Sequence, residues 1–135
     1  MFFSLIFAFM YKKLGYFKRR DVLRHSNFLD LTPLPLHTHE LEEAGTVRVL
    51  IPRFRGKISG KLLQPRLKNP YIKLSLDELG SAVWAACDGQ KDVRTICREM
   101  REQLGEKIEP AEDRITRFLS QLYNQDLLIF REIIK

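Results

Sequence analysis

Residues 71–130 read YIKLSLDELGSAVWAACDGQKDVRTICREMREQLGEKIEPAEDRITRFLSQLYNQDLLIF, and this stretch decides the fold. It divides into one short extended segment, Tyr71 to Leu74, and three helices with their own start and stop signals. Ser75, followed three positions later by Glu78, has the spacing of a capping box, in which side chain and backbone satisfy each other's orphan groups. Leu76, Leu79, Val83, Trp84 and Cys87 recur at helical spacing and predict one apolar face. Asp88-Gly89 predicts the stop, because glycine adopts the left-handed conformation that closes a helix. A second helix is expected from Asp92 as its cap, with Val93, Ile96, Cys97, Met100 and Leu104 inward, ending at Gly105. A third starts at Glu109-Pro110, with Pro110 in the first helical position, where its missing N–H costs nothing. Glu112 and Asp113 suit the positive end of its dipole, and Ile115, Phe118, Leu119, Leu122 and Tyr123 form its apolar stripe. Leu127 to Ile133 is apolar enough for a short strand or a packed tail.

Working outward, His37 to Phe54 reads as a hairpin turning at Glu43-Ala44-Gly45. Val47, Val49 and Ile51 alternate with Arg48 and Leu50, which is strand periodicity, and Pro52 ends the strand or puts it at an edge. Asn27 to Leu36 contains Pro33 and Pro35, which force extended backbone, so an arm across the domain is expected. Arg53 to Asn69 carries Arg53, Arg55, Lys57, Lys61, Arg66 and Lys68 and no acid. It is a basic insertion, longer than an ordinary hairpin connection. Met1 to Tyr11 is MFFSLIFAFMY, followed by Lys12, Lys13, Lys18, Arg19, Arg20 and Arg24. This run is about half the length a spanning helix needs. Its basic residues follow the apolar ones, the reverse of a signal peptide. An interfacial anchor, a docked helix, and a true start at Met10 all remain open. The expected organisation is an N-terminal segment over 1–26 and one domain over 27–135 containing the insertion 53–69.

The chain has 135 residues, a formal charge of +6 and a pI near 9.5. That size gives one domain, and the charge favours an anionic partner: acidic peptide, nucleic acid or lipid head groups. Cys87 and Cys97 lack CxxC spacing and fall on apolar helix faces, so they read as core thiols in a reducing compartment, the cytoplasm. His37 and His39 could share a strand face and hold a metal, but no third ligand lies nearby in the sequence, and no metal or other cofactor is expected. Trp84 and Phe118 read as core. Glu109, Glu112 and Asp113 have no nucleophile or base at matching spacing, and no phosphate-cradling glycine loop occurs, so no catalytic constellation is found.

The succession of an extended segment, LDELGSAVW, Asp88-Gly89, V-x-x-I, an acidic-start helix ending in F-L-x-x-L and an apolar tail resembles the PqqD family, pyrroloquinoline quinone synthesis protein D. The likeness covers the C-terminal half well and the preceding strands loosely, and the insertion departs from it. It implies an α+β fold, a small three-stranded antiparallel sheet packed on a three-helix bundle, close to a winged helix-turn-helix. It also implies a role as a peptide recognition element, in which a leader peptide adds as a strand beside the third strand and against the third helix. On this chain that edge is Tyr71, Ile72, Lys73 and Leu74, and the facing helix offers Arg114, Arg117 and Gln121. Such a module presents a precursor peptide to a modifying enzyme, in the family often a radical SAM enzyme. Its cations favour an acidic, amphipathic guest. DNA binding through the second and third helices is the alternative, and the acids at the start of the third helix oppose it. A membrane-tethered adaptor using residues 1–20 is a further one.

Overall fold

The computed structural model describes residues 14–52 and 71–134. The apolar leader and the basic insertion expected at 53–69 lie outside these residues. The chain is α+β. Its helices are α1 (Tyr16–His25), α2 (Glu78–Ala86), α3 (Val93–Leu104) and α4 (Ala111–Asn124). Its strands are β1 (Pro33–Pro35), β2 (His39–Leu41), β3 (Val47–Pro52), β4 (Tyr71–Ser75) and β5 (Leu128–Phe130).

The strands form two antiparallel sheets, β2-β3-β4 and β1-β5. The alternation at Val47, Val49 and Ile51 does what its period requires: these three are buried, while Arg48, Leu50 and Pro52 are only half-buried. One face of the three-stranded sheet therefore rests on the helices. Trp84, Ile96, Ile115, Leu119 and Phe130 lie in the core between, each no more than 1% exposed.

The helix starts follow local chemistry, with two corrections. The N-cap of α2 is Asp77 rather than Ser75: its carboxylate accepts from the Gly80 N–H at 2.7 Å, while Ser75 is still the last residue of β4. Ser75 lies in the extended strand opposite Arg48, three residues before the first helical residue, and Asp77, directly before that residue, has an acceptor at the right reach. Pro110 occupies the cap position itself, with the helix beginning at Ala111. Asp92 caps α3 as expected, accepting from the Thr95 N–H at 2.8 Å, and this hydrogen bond holds its carboxyl below the usual value. Gly105 closes α3 at φ +58°. A 3₁₀ turn, Gly105–Ile108, leads on to α4.

The arm is more than a strap. Leu31 and Leu34 are core residues, and β1 pairs with β5 through Pro33↔Phe130, Leu34↔Ile129 and Pro35↔Leu128. Gly89 shows how tightly the arm seats. Its φ is +77°, and an added Cβ would lie 2.8 Å from Leu34 Cδ1. The tail thus becomes a strand followed by a 3₁₀ turn, Arg131–Ile133.

Candidate functional site

The phase of the β3–β4 ladder decides what β4 offers to the outside. Leu76 N–H donates to the Val47 carbonyl at 2.9 Å, so the Val47–Leu76 pair is hydrogen-bonded. In an antiparallel ladder bonded and non-bonded pairs alternate. With Val49↔Leu74 and Ile51↔Ile72 in register, Leu74 and Ile72 bond inward to β3. Tyr71, Lys73 and Ser75 then turn their N–H and C=O groups away from β3. The β2–β3 ladder agrees, since Leu50 N–H is directed to the Thr38 carbonyl on the other side. Among the described residues β4 pairs with β3 alone.

One side chain fixes the end of this strand. Ser81 is the buried polar residue of α2, 7% exposed. The Val47 N–H donates to its Oγ at 2.8 Å, and that hydroxyl donates to the Leu76 carbonyl at 3.3 Å. A hydroxyl relay therefore replaces one rung of the ladder and ties both strands to α2.

Beside this end lies an open groove of about 410 Å³, lined by Ser75, Leu76, Asp77, Leu79, Gly80, Val83, Ile108, Arg114, Ile115 and Phe118. Its wall is chiefly apolar, with Arg114 as its cation. The absent side chain of Gly80 gives it depth: a Cβ there would sit 3.0 Å from Asp77 Oδ1 and 3.3 Å from Phe118 Cζ. Arg114 is held in place, donating from Nη1 to the Lys107 carbonyl at 2.6 Å. Lys107 in turn pairs with Glu78 across 3.6 Å at the surface.

The residues expected to form a peptide site are only partly brought together. Tyr71 and Ile72 are 38% and 48% exposed. Ile72 sits on the core face of the sheet, opposite Ile51, so its exposure marks the place where that face is uncovered. Leu74 is half-buried on the same face. Lys73 points to the other face, its ammonium 3.5 Å from Glu40 Oε1. Arg114 lines the groove, but Arg117 lines a separate depression with Asn27, Phe28, Glu112 and Asp113, and pairs with Asp113 at 3.4 Å. Gln121 is exposed and lines neither. Sequence reasoning missed Leu79, Gly80, Ser81 and Ile108. The pair Gly80-Ser81, small residues in the first turns of an apolar helix, was the available signal for close approach.

The remaining candidates resolve into structure. His37 Nε2 donates to the Asp126 carbonyl at 3.1 Å, whereas His39 Nδ1 accepts from Trp84 Nε1 at 3.0 Å. The two imidazoles therefore serve different partners, and no metal-holding cluster occurs among the described residues. Burial pushes the His39 pKa down, in keeping with an unprotonated acceptor nitrogen. Cys87 and Cys97 are buried free thiols, and burial pushes Cys87 up to about 12. Trp84 is 1% exposed, as expected of core, and Phe118 is half-buried with one edge in the groove. Glu109, Glu112 and Asp113 are exposed, and Arg101 pairs with Glu109 at 3.1 Å and Glu112 at 3.8 Å. An acidic surface at the start of α4 repels duplex phosphates.

Residues 69–128 match the family model described as coenzyme PQQ synthesis protein D (PqqD). The matched span starts just before β4 and takes in α2, α3 and α4, and with them every residue lining the groove. No curated protein and no solved structure matches the chain.

Proposed function

We propose that this chain, whose residues 69–128 belong to the PqqD family, is a non-catalytic module that captures a peptide by strand addition and presents it to a modifying enzyme. The observation that carries the reading is the outward phase of Tyr71, Lys73 and Ser75 on a strand bordered by an apolar groove. An extended peptide laid along β4 pairs its backbone with those three residues. Its alternate side chains then face Ile72, Leu74 and the groove lined by Leu79, Ile108 and Phe118. Main-chain pairing supplies affinity without regard to sequence, and the groove selects apolar side chains. Arg114 adds a preference for an acid beside them, because a guanidinium favours a carboxylate partner.

The test uses a peptide selected from a random display library on the full chain, its affinity read by fluorescence polarisation. Lys73→Pro removes an outward N–H and leaves the β3 ladder whole, so capture should fall at least about tenfold, the loss expected of one or two interfacial hydrogen bonds. The circular dichroism spectrum should be unchanged. Undiminished affinity in Lys73→Pro would overturn strand addition at β4. Loss of affinity in Leu79→Arg with Lys73→Pro unaffected would leave a groove binder that ignores the strand edge.

A further inference from the structure

We propose that α1 is a membrane-surface helix whose outer face rests on an anionic lipid bilayer. The helix is docked rather than free: Leu14 N–H donates to the Ile133 carbonyl at 2.9 Å, and Leu14, Val22 and Leu23 pack against the core. That fixes which side faces out. Phe17, Arg20 and Arg24 follow at spacings of three and four and are all exposed, Phe17 at 81%. Tyr16, 61% exposed, packs edge-on against Phe17 with ring centroids 5.3 Å apart. Arg19, Arg20 and Arg24 line a shallow depression with Tyr16, Leu23 and Tyr123. None of these three arginines, nor Lys18, pairs with an acid among the described residues, as is true also of Arg98, Arg114 and Arg131, whereas Arg48, Arg94, Arg101 and Arg117 each do. Asp21, the acid of this helix, lies on the same exposed stripe one turn after Phe17, with His25 Nδ1 3.2 Å from its carboxylate.

The pairing of free cations with exposed aromatic rings selects the partner. An acidic protein would satisfy the arginines but gives no reason to hold two large rings in water, and single-stranded bases stack on open ring faces, whereas Tyr16 and Phe17 are packed edge-on against each other. The bilayer interface rewards both, placing aromatic rings at the head-group level and cations on anionic head groups. The sequence leading into α1, MFFSLIFAFMYKK, is apolar apart from Ser4 up to its two lysines and carries the same chemistry forward. No helix among the described residues is long and apolar enough to cross a membrane, so α1 lies on the surface.

The full chain is floated with vesicles of phosphatidylcholine alone and with phosphatidylglycerol added. It should partition onto the anionic vesicles, and salt should weaken it. The double variant Arg20→Glu, Arg24→Glu should weaken it at least about tenfold, since each basic residue near such a surface contributes roughly fivefold. Phe17→Ala should weaken it further at high salt, where charge is screened. Peptide capture at β4 should be unaffected in these variants, which separates this proposal from the function above. Absence of partitioning, or partitioning indifferent to the double variant, would overturn the proposal. So would retention by polyglutamate or single-stranded DNA at least as strong as retention by the vesicles.

Discussion

Strands β1 and β4 are both short and both border a sheet, yet they are finished in opposite ways. The residues of β1 are all buried, and the backbone around it is used up: Leu36 N–H goes to Leu127, Arg131 N–H to Thr32, Gly89 N–H to Pro33 and Val93 N–H to Leu31. In β4 four of the five residues are exposed and Leu74 is half-buried, and every second backbone unit points away from β3, its one partner among the described residues. Proline explains part of the contrast. Pro33 and Pro35 leave few donors to satisfy, which suits a strand meant to be sealed. Tyr71, Lys73 and Ser75 keep all of theirs. The sealed strand holds the arm to the tail, and the open one leaves its outer backbone groups for the guest strand proposed above.

The largest expected effect lies on the sealed side. Phe130, 1% exposed, packs against Phe28 and Tyr123 with centroids 5.4 and 5.3 Å away. Phe130→Ala should lower stability by about 3–5 kcal/mol in urea unfolding, and Trp84→Ala, in the same core, by a similar amount. A loss below about 1 kcal/mol would mean that the ribbon is not integral to the core. Next comes the relay that anchors the open side. Ser81→Ala strands the Val47 N–H and should cost about 1–3 kcal/mol, whereas Ser81→Thr keeps a hydroxyl and should recover part of it. Equal stability of the alanine variant and the parent would remove Ser81 from the account of how β4 is positioned.

A pair of substitutions on β4 sharpens the comparison further. Ile72→Pro deletes an inward N–H and should destabilise by about 1–3 kcal/mol, while Lys73→Pro, one residue on, should cost less than about 1 kcal/mol. The reverse order would mean that the ladder has the opposite phase. The smallest effect concerns β2. His39 is held below its ordinary pKa of 6.5 by burial, so the unfolded chain binds the extra proton more readily. The stability tied to its neutral form is complete above 6.5 and is lost as the pH falls through the lowered value. His39→Gln should flatten the pH dependence of urea midpoints across that window, and an unchanged slope would contradict the role given to the Trp84 hydrogen bond.

Much of this was readable in the chain. The helix stop at Gly105, the Asp92 cap and the alternation along β3 each depend on local chemistry, and local chemistry is written in neighbouring residues; α2 instead ends at Ala86 with Cys87 as its C-cap, ahead of the expected stop at Gly89. What was hidden depends on contacts distant in sequence. The pairing of β1 with β5 joins residues nearly a hundred positions apart, and nothing near Pro33 announces Phe130. Ser75 has the capping-box spacing in the sequence, but the cap is Asp77 because Ser75 lies within β4, three residues before the helix begins. The site divided in the same way. The edge at Tyr71–Leu74 was an expectation from the resemblance alone; Arg117 pairs with Asp113 one helical turn away, an i,i+4 spacing the sequence carries, whereas Lys73 reaches Glu40 across the sheet, which no local spacing reveals.

Amide hydrogen exchange along β4 in the full chain tests the open edge most directly. The amides of Ile72, Leu74 and Leu76 should be protected, while those of Tyr71, Lys73 and Ser75 exchange at close to the rate of exposed loops and slow down when the selected peptide is added. Uniform protection of all six in the free chain, unaltered by peptide, would contradict it.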